Sequence, residues 1–340
     1  MPCVINTSIG DYYGSHDGKD LAALLIDDLI TQKNGRVLVA AAGNGGNIPF
    51  HLSYALPGTD SAYTLFNYSS AFAGVYFDFW ADTANFSSNA FFAIGCNSST
   101  GTDLGRTTYL NAGNILGSGG SASYTVNGVT VDIYVTLYDS RYQVEIIPNT
   151  ANTTLLWRLQ TTGTGRFDCW ATNSLIGTSD IVNTLSSVYI ADPHYRHSDY
   201  LKTMVSSWQN SDKVITVGNY SNRASYLDYY GNTVNLLQSP YFEVVGQRFS
   251  TSSFGPTRDN RVKPDVMATG STTICTGDAN YITAAIPSNY FKLSITHKHV
   301  RNGGTSMASP IVAGIAALYL EKRPNASWLQ LHKRTLKNLE

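Results

Sequence analysis

The chain has 340 residues, enough for one large core or two smaller ones. Its formal net charge is -1, only 14% of residues are charged, and no basic block occurs, which argues against a nucleic-acid partner. No apolar run reaches the roughly 18 residues that a transmembrane helix needs. Residues 1–20 lack a basic stretch followed by an apolar one, so no signal peptide is visible. The composition is poor in Lys and rich in Tyr, Ser, Thr, Asn and Gly, which fits an extracellular or cell-envelope protein. Cys3, Cys96, Cys169 and Cys275 are far apart and form no metal-binding spacing, leaving open a Cys96–Cys169 pair or four free thiols.

Residues 4–10 read as a short buried strand running into a loop. Leu21, Leu24, Leu25 and Leu29 recur at helical spacing, predicting a helix over about residues 19–33, stopped by Asn34-Gly35. The apolar run 36–42 then reads as a second strand. Strand, helix, strand is the pattern of a βαβ unit and a parallel sheet. Its second strand leads into Ala40-Ala41-Ala42-Gly43-Asn44-Gly45-Gly46, and loops at such strand ends are where open α/β sheets bind ligands.

The next segment changes character. Residues 47–192 carry Gly-, Asn-, Ser- and Thr-rich turns and short runs with alternating faces. Val131, Ile133, Val135 and Leu137 fall on one face of a strand over 131–138. Residues 75–80, 91–96, 142–147, 155–160 and 167–171 are further strand candidates, and the spacing indicates a β-sandwich or jelly roll inserted into the first domain. Tyr76, Trp80 and Trp170 are read as filling or covering that sandwich, with sugar or peptide binding as the alternative. The expected domains are therefore 1–46, 47–192 and 193–340.

After the insert, residues 199–209 are expected to be helical and 213–220 a buried strand. The stretch Gly303-Gly304-Thr305-Ser306-Met307-Ala308-Ser309-Pro310 follows, then the small and apolar run 311–318. It predicts a buried helix from about Ser306 to before Pro324, with a last helix over 325–340. A serine at a helix N-terminus sits where free N–H groups and the helix dipole favour developing negative charge, as suits an acyl-transfer nucleophile.

That octapeptide resembles the serine motif of the subtilisin-like (S8) peptidases, Gly-Thr-Ser-Met-Ala-x-Pro. Residues 252–266, Ser-Ser-Phe-Gly-Pro-Thr-Arg-Asp-Asn-Arg-Val-Lys-Pro-Asp-Val, resemble the family's Gly-Pro-Thr scaffold segment, with Asn260 in place of a glycine, as a left-handed turn permits. The strand 4–10, the loop Ala40-Ala41-Ala42-Gly43-Asn44 and the strand 213–220 also resemble family segments, and all five occur in the family's order. The resemblance implies an α/β fold, a partial subtilisin-like parallel-sheet core carrying an inserted all-β domain. It makes Ser306 the nucleophile and Asn44 the oxyanion donor, a role worth roughly 3–4 kcal/mol. It implies that the backbone at Ser8, Ile9 and Gly10 pairs with an extended protein or peptide substrate, and that Ala41, Ala42 and Gly43 wall a specificity pocket. No cofactor is required. Structural calcium is common in the family, although no loop here has convincing ligand spacing and no metal ligand is assigned.

A serine needs a base, and the base an orienting carboxylate. The family's Asp-[Ser/Thr]-Gly and His-Gly-Thr-His motifs are both missing from these residues. His16-Asp17, in a loop after the first strand, reads as a solvated turn rather than a substitute, and the other six histidines stand in no base motif. The simplest expectation is a subtilase portion whose Asp and His lie on another segment that completes the sheet. The competing reading is a degenerate, non-catalytic binding protein; a third is a different serine hydrolase using a local histidine.

Overall fold

A computed structural model describes residues 1–68, 74–86, 88–171, 181, 192–199 and 202–337. It divides into two compact units: residues 1–10, 16–47 and 204–340 form the first, and residues 11–15 and 48–203 the second.

The first unit is built on a four-stranded parallel sheet. Its strands lie in the order Cys3–Thr7, Arg36–Ala41, Val214–Tyr220, Val266–Thr269. On one face Val37, Val39, Ile215, Val217 and Val266 pack against Ala308, Val312, Ala316 and Leu320 of the helix Thr305–Lys322. The alanines of that helix let it seat close to the sheet, which is why a long apolar run of small residues folds here. On the other face Ile30 packs with Ala40 and Val214. Ile30 lies on the helix Leu21–Thr31, whose first turn is capped by Asp20 accepting from Ala23 N at 2.9 Å.

Cys3–Thr7 is an edge strand. It ends at Thr7, where the ladder with Arg36–Ala41 ends, and it is not the buried strand expected: Cys3, Ile5 and Asn6 are exposed because no strand covers its outer edge among the described residues. Residues 8–10 therefore lie beyond the strand. The apolar side chains that predict the first helix are not its buried face: Leu21, Leu24, Leu25 and Leu29 are exposed, while Ala23 and Ile30 are buried. Of these leucines, Leu29 borders an apolar groove of about 370 Å³, lined also by Cys3, Ile5, Ile26 and Val37.

The helix expected over 199–209 is absent from the described residues 202–207; only Trp208–Asn210 form a 3-10 turn. The N–H groups of this stretch serve the core instead, Met204 N donating to Phe254 O and Ser206 N to Ala42 O. The last helix spans Trp328–Lys337, and residues 338–340 lie outside the described residues.

The Gly-Pro-Thr segment anchors the sheet. Asn260 has a φ of 65°, the left-handed turn its identity suggests. Lys263, 5% exposed, donates to Asp265 Oδ2 at 2.7 Å and Val214 O at 2.8 Å. Asp265 Oδ2 also accepts Thr216 N at 2.7 Å, and His332 contacts Oδ1 at 3.1 Å. Burial opposes ionisation of Asp265, but Lys263 and His332 outweigh it and hold its carboxyl below the usual range. Lys263→Met leaves that buried carboxylate short of its cation, so unfolding free energy should fall by about 3–5 kcal/mol, read from urea midpoints.

The second unit has two antiparallel sheets. One runs His51–Ala55, Arg166–Trp170, Phe77–Asp82, Arg141–Pro148, Val129–Tyr138, Ser121–Val126. The other runs Gly58–Asn67, Leu156–Gly163, Ala90–Asn97, Asp103–Arg106. The sheets meet through aromatic pairs, Phe66 with Phe77 and Phe79 with Phe92, and through Tyr54 bonded to Thr161. Val131, Ile133 and Val135 are buried as their alternation predicts, but Leu137 near the strand end is 46% exposed. Trp80 and Trp170 are buried fillers: their indole N–H groups donate to Asp78 and Thr203 O. Residues 193–203 group with this unit rather than with the following core, since Tyr63 bridges Tyr195 and Trp170 bonds Thr203. All four cysteines are free, Cys96 and Cys169 being buried thiols.

Residues 11–15 are held inside the second unit by Asp78, which is fully buried. It accepts from Gly14 N at 2.8 Å and from Trp80 Nε1 and Gln143 Nε2, each at 2.9 Å. Burial pushes its carboxyl up to about 7 despite those donors, with Glu145 adding to the rise. The folded state thus holds a proton that the unfolded chain has released, so stability is fullest below about pH 4 and declines as pH rises to about 7. The loss is about 4 kcal/mol at most. Urea midpoints taken from pH 4 to pH 8 should show this slope in the native chain and a weaker one in Asp78→Asn.

Candidate active site

The site lies in the first unit, where the serine helix begins. Gly304 is its N-cap with a φ of 105°, a left-handed conformation, and Thr305 and Ser306 are the first two helical residues. A Cβ on Gly304 would stand 3.1 Å from Asn44 Oδ1 and 3.3 Å from Asn44 Nδ2. The turn is therefore built around the Asn44 carboxamide.

Asn44 is oriented by Thr305. Its Oδ1 accepts from Thr305 N at 3.0 Å and from Thr305 Oγ1 at 3.2 Å. That fixes the amide so that Nδ2, the donor end, has no partner among the described residues. The Thr305 hydroxyl accepts from Gly43 N at 3.2 Å, and its single proton is shared between Asn44 Oδ1 and Gly43 O, each at 3.2 Å.

Ser306 is half-buried and pairs with Ser8. Ser8 Oγ donates to Ser306 O at 3.0 Å, and Ser306 Oγ lies 3.5 Å from Ser8 O. Pro310 explains the first bond. It has no N–H to return to the carbonyl four residues back, so Ser306 O loses its helical partner and the Ser8 hydroxyl replaces it. One turn on, Ser309 Oγ donates to Asn6 Oδ1 at 2.6 Å. The spacing of serine and proline carries this signal, although it does not reveal Ser8 as the donor.

The other expected residues are placed differently. Ile9 is 73% exposed, and its O accepts from Gln209 Nε2 at 3.1 Å. Gly10 packs on Ser206, whose Oγ would stand 2.4 Å from any Cβ there. Ala41 and Ala42 are buried; Ala42 N donates to Val217 O and Ala42 O accepts from Ser206 N. Gly43 O accepts from Ser253 N at 3.0 Å. A cavity of about 760 Å³ opens beside Asn44, Gly303 and Gly304, lined also by Ser271, Lys292 and Arg301, three residues not singled out by the sequence.

Among the described residues no histidine is hydrogen-bonded to Ser306. His16 is buried, not a solvated turn: its Nδ1 meets Val205 O at 2.7 Å, and its N donates to Ser207 Oγ. The adjoining Asp17 is paired with Arg258 at 2.7 Å. His297 stacks on Tyr229, His299 bonds Thr296, and His332 bonds Asp265. In the second unit His51 bonds Asp199 O, His194 pairs with Asp192, and His197 packs on Tyr195. No group of three or more His, Cys, Asp or Glu among the described residues is placed to share a metal ion.

The chain thus sets a serine at a helix start and ties it, through one threonine, to an amide whose donor end has no partner among the described residues. Residues 189–339 match the model of the subtilase family (Peptidase_S8). It is 33% identical over 111 residues to the uncharacterized protein aq_aa18 of Aquifex aeolicus (strain VF5), covering 33% of this chain and 43% of that protein. It is 40% identical over 95 residues to the serine protease AprX of Bacillus subtilis (strain 168), covering 26% of this chain and 19% of AprX. The fold resembles that of the Clostridium perfringens CspB protease with a TM-score of 0.66 and 20% identity, covering 98% of this chain and 60% of that one. The matched regions thus span less than half of both sequence relatives, and 60% of the solved one.

Gly304→Ala forces a side chain into the left-handed position against Asn44, and should lower unfolding free energy by about 1–3 kcal/mol. Gly314→Ala, on the same helix with open space at its Cβ, should leave it unchanged or raised. Thermal denaturation of the two variants checks both signs.

Proposed function

We propose that this chain carries the nucleophile and oxyanion half of a subtilisin-like serine endopeptidase site. The Asn44–Thr305 bond carries the reading, because it fixes an amide donor and a nucleophile on one turn. Ser306 Oγ attacks the peptide carbonyl while a base takes its proton. The carbonyl oxygen becomes an oxyanion, stabilised by Asn44 Nδ2 and the Ser306 N–H. Collapse of the intermediate expels the amine, which leaves with the proton returned by the base. Water then releases the acyl group by the same steps in reverse.

In this reading the base and its carboxylate come from sequence outside these 340 residues. Two observations support that. None of the seven histidines is bonded to Ser306, and the edge strand Cys3–Thr7 exposes a groove bordered by Ile5 and Leu29. A segment adding a parallel strand there would cover Ile5 and Leu29 and bring its own side chains to the strand end beside Ser306. The substrate is a protein or peptide lying along Ser8, Ile9 and Gly10, and the setting is extracellular or the cell envelope. The sandwich is an insertion whose role in access or stability is separate from the chemistry.

Fluorophosphonate labelling tests the reading. The chain alone should label no faster than its Ser306→Ala variant. Mixed with a segment encoding the Asp and His motifs it should label at Ser306, and Asn44→Ala should slow that by about 100-fold or more. Labelling of the chain alone that disappears in Ser306→Ala would mean a base lies within these residues. Absence of labelling from a folded, mixed sample would favour a non-catalytic binding protein.

A further inference from the structure

The substrate's two halves need different surfaces. If the acyl half lies along residues 8–10, the amine half must leave the scissile bond past Asn44. The cavity of about 760 Å³ is on that route: it touches Asn44, Gly303 and Gly304, and none of Ser8, Ile9 or Gly10 lines it. Its chemistry is asymmetric. Lys292 lines it and is in no ion pair among the described residues, its ammonium lying 6.0 Å from the Phe291 ring. Ser271 also lines it; its residue is 2% exposed and its buried Oγ has no partner. Arg301 adds a second positive charge. That charge is already engaged, by Glu243 at 3.6 Å, by Thr272 Oγ1 at 3.2 Å and by the Tyr241 ring. The acidic lining residue, Asp278, accepts Asn280 N and Tyr281 N as a helix cap. Only Asp278 Oδ1 is used by that cap, so its carboxylate keeps one negative charge at the rim, set against the two positive charges of Lys292 and Arg301; of these, the Lys292 ammonium is the one that no carboxylate pairs among the described residues.

We propose that this cavity selects an acidic side chain on the leaving-group side of the substrate, with Lys292 as the residue that sets the preference. The inference rests on the subtilase reading for the identity of the ligand as a peptide, and on the cavity for its charge. A carboxylate there gains a charge-assisted bond from Lys292. A lysine in the same place meets like charge.

The test uses the 340-residue chain and three peptide amides with free amino termini, Glu-Glu-Ala-Ala, Gln-Gln-Ala-Ala and Lys-Lys-Ala-Ala, titrated by NMR. The Glu peptide should bind about tenfold tighter than the Gln peptide, with the Lys peptide weakest. Lys292→Gln should remove the difference between Glu and Gln peptides, and Lys292→Glu should reverse the order of Glu and Lys peptides. Circular dichroism confirms that the variants fold. Equal affinities, an order unchanged in Lys292→Glu, or no Glu-peptide binding below about 10 mM would overturn the proposal. The labelling experiment separates the two readings. Labelling at Ser306 with indistinguishable peptides sinks only the charge preference. Charge-reversed binding without labelling leaves a peptide-binding cavity and removes the hydrolase.

Discussion

The site depends on one hydrogen bond, from the Thr305 N–H to Asn44 Oδ1. It joins two segments 261 residues apart in sequence, the loop after the second strand and the first turn of the serine helix. Either segment alone has ordinary alternatives. Asn-Gly is a common turn, and a threonine before a helix is a common cap. Joined, the amide can point its donor only one way, and the glycine at 304 is required because any side chain would crowd that amide. The sheet beneath supplies the stiffness. Both segments leave a core of branched side chains and small helical alanines, with the Lys263–Asp265 pair tying two neighbouring strands from behind.

Much of the first unit is legible in the sequence because its signals are local and redundant. The run Val37 to Ala41 and the run Val214 to Val217 read as buried strands from their length and branching alone, and both are. The left-handed Asn260 is legible from its place in a turn. Ser306 and Asn44 are singled out by motif, and the fold brings their segments together through Thr305.

What is not legible depends on partners distant in sequence. Leu21, Leu24, Leu25 and Leu29 have the spacing of a buried face, yet periodicity does not say which of two apolar stripes meets the sheet; Ala23 and Ile30 do. His16 looks like a polar turn residue because its neighbours are polar. Its burial is set by Val205 and Ser207, nearly 190 residues later. The stretch 202–207 has helix-compatible composition, but its N–H groups are taken by Ala42 and Phe254. Lys292 and Ser271 carry no motif, and only the folded chain makes them neighbours of one cavity.

The five residues 11–15 have a consequence for how the chain must come together. They are made early but find their partners late: Gly14 waits for Asp78, Tyr12 for Phe50, and Tyr13 for the Glu145 carboxylate. Such contacts close loops of different lengths, and each closure adds to the entropic barrier. The second unit is therefore not a cassette that can be cut out at residues 48 and 203. A piece so excised would keep the buried Asp78 while losing one of its three donors, and would leave the Phe50 ring without its edge-on neighbour. During synthesis the same geometry keeps the first unit's opening strand tethered to a short loop whose docking site has not yet been made. The two units are separate in their cores but shared in their order of assembly.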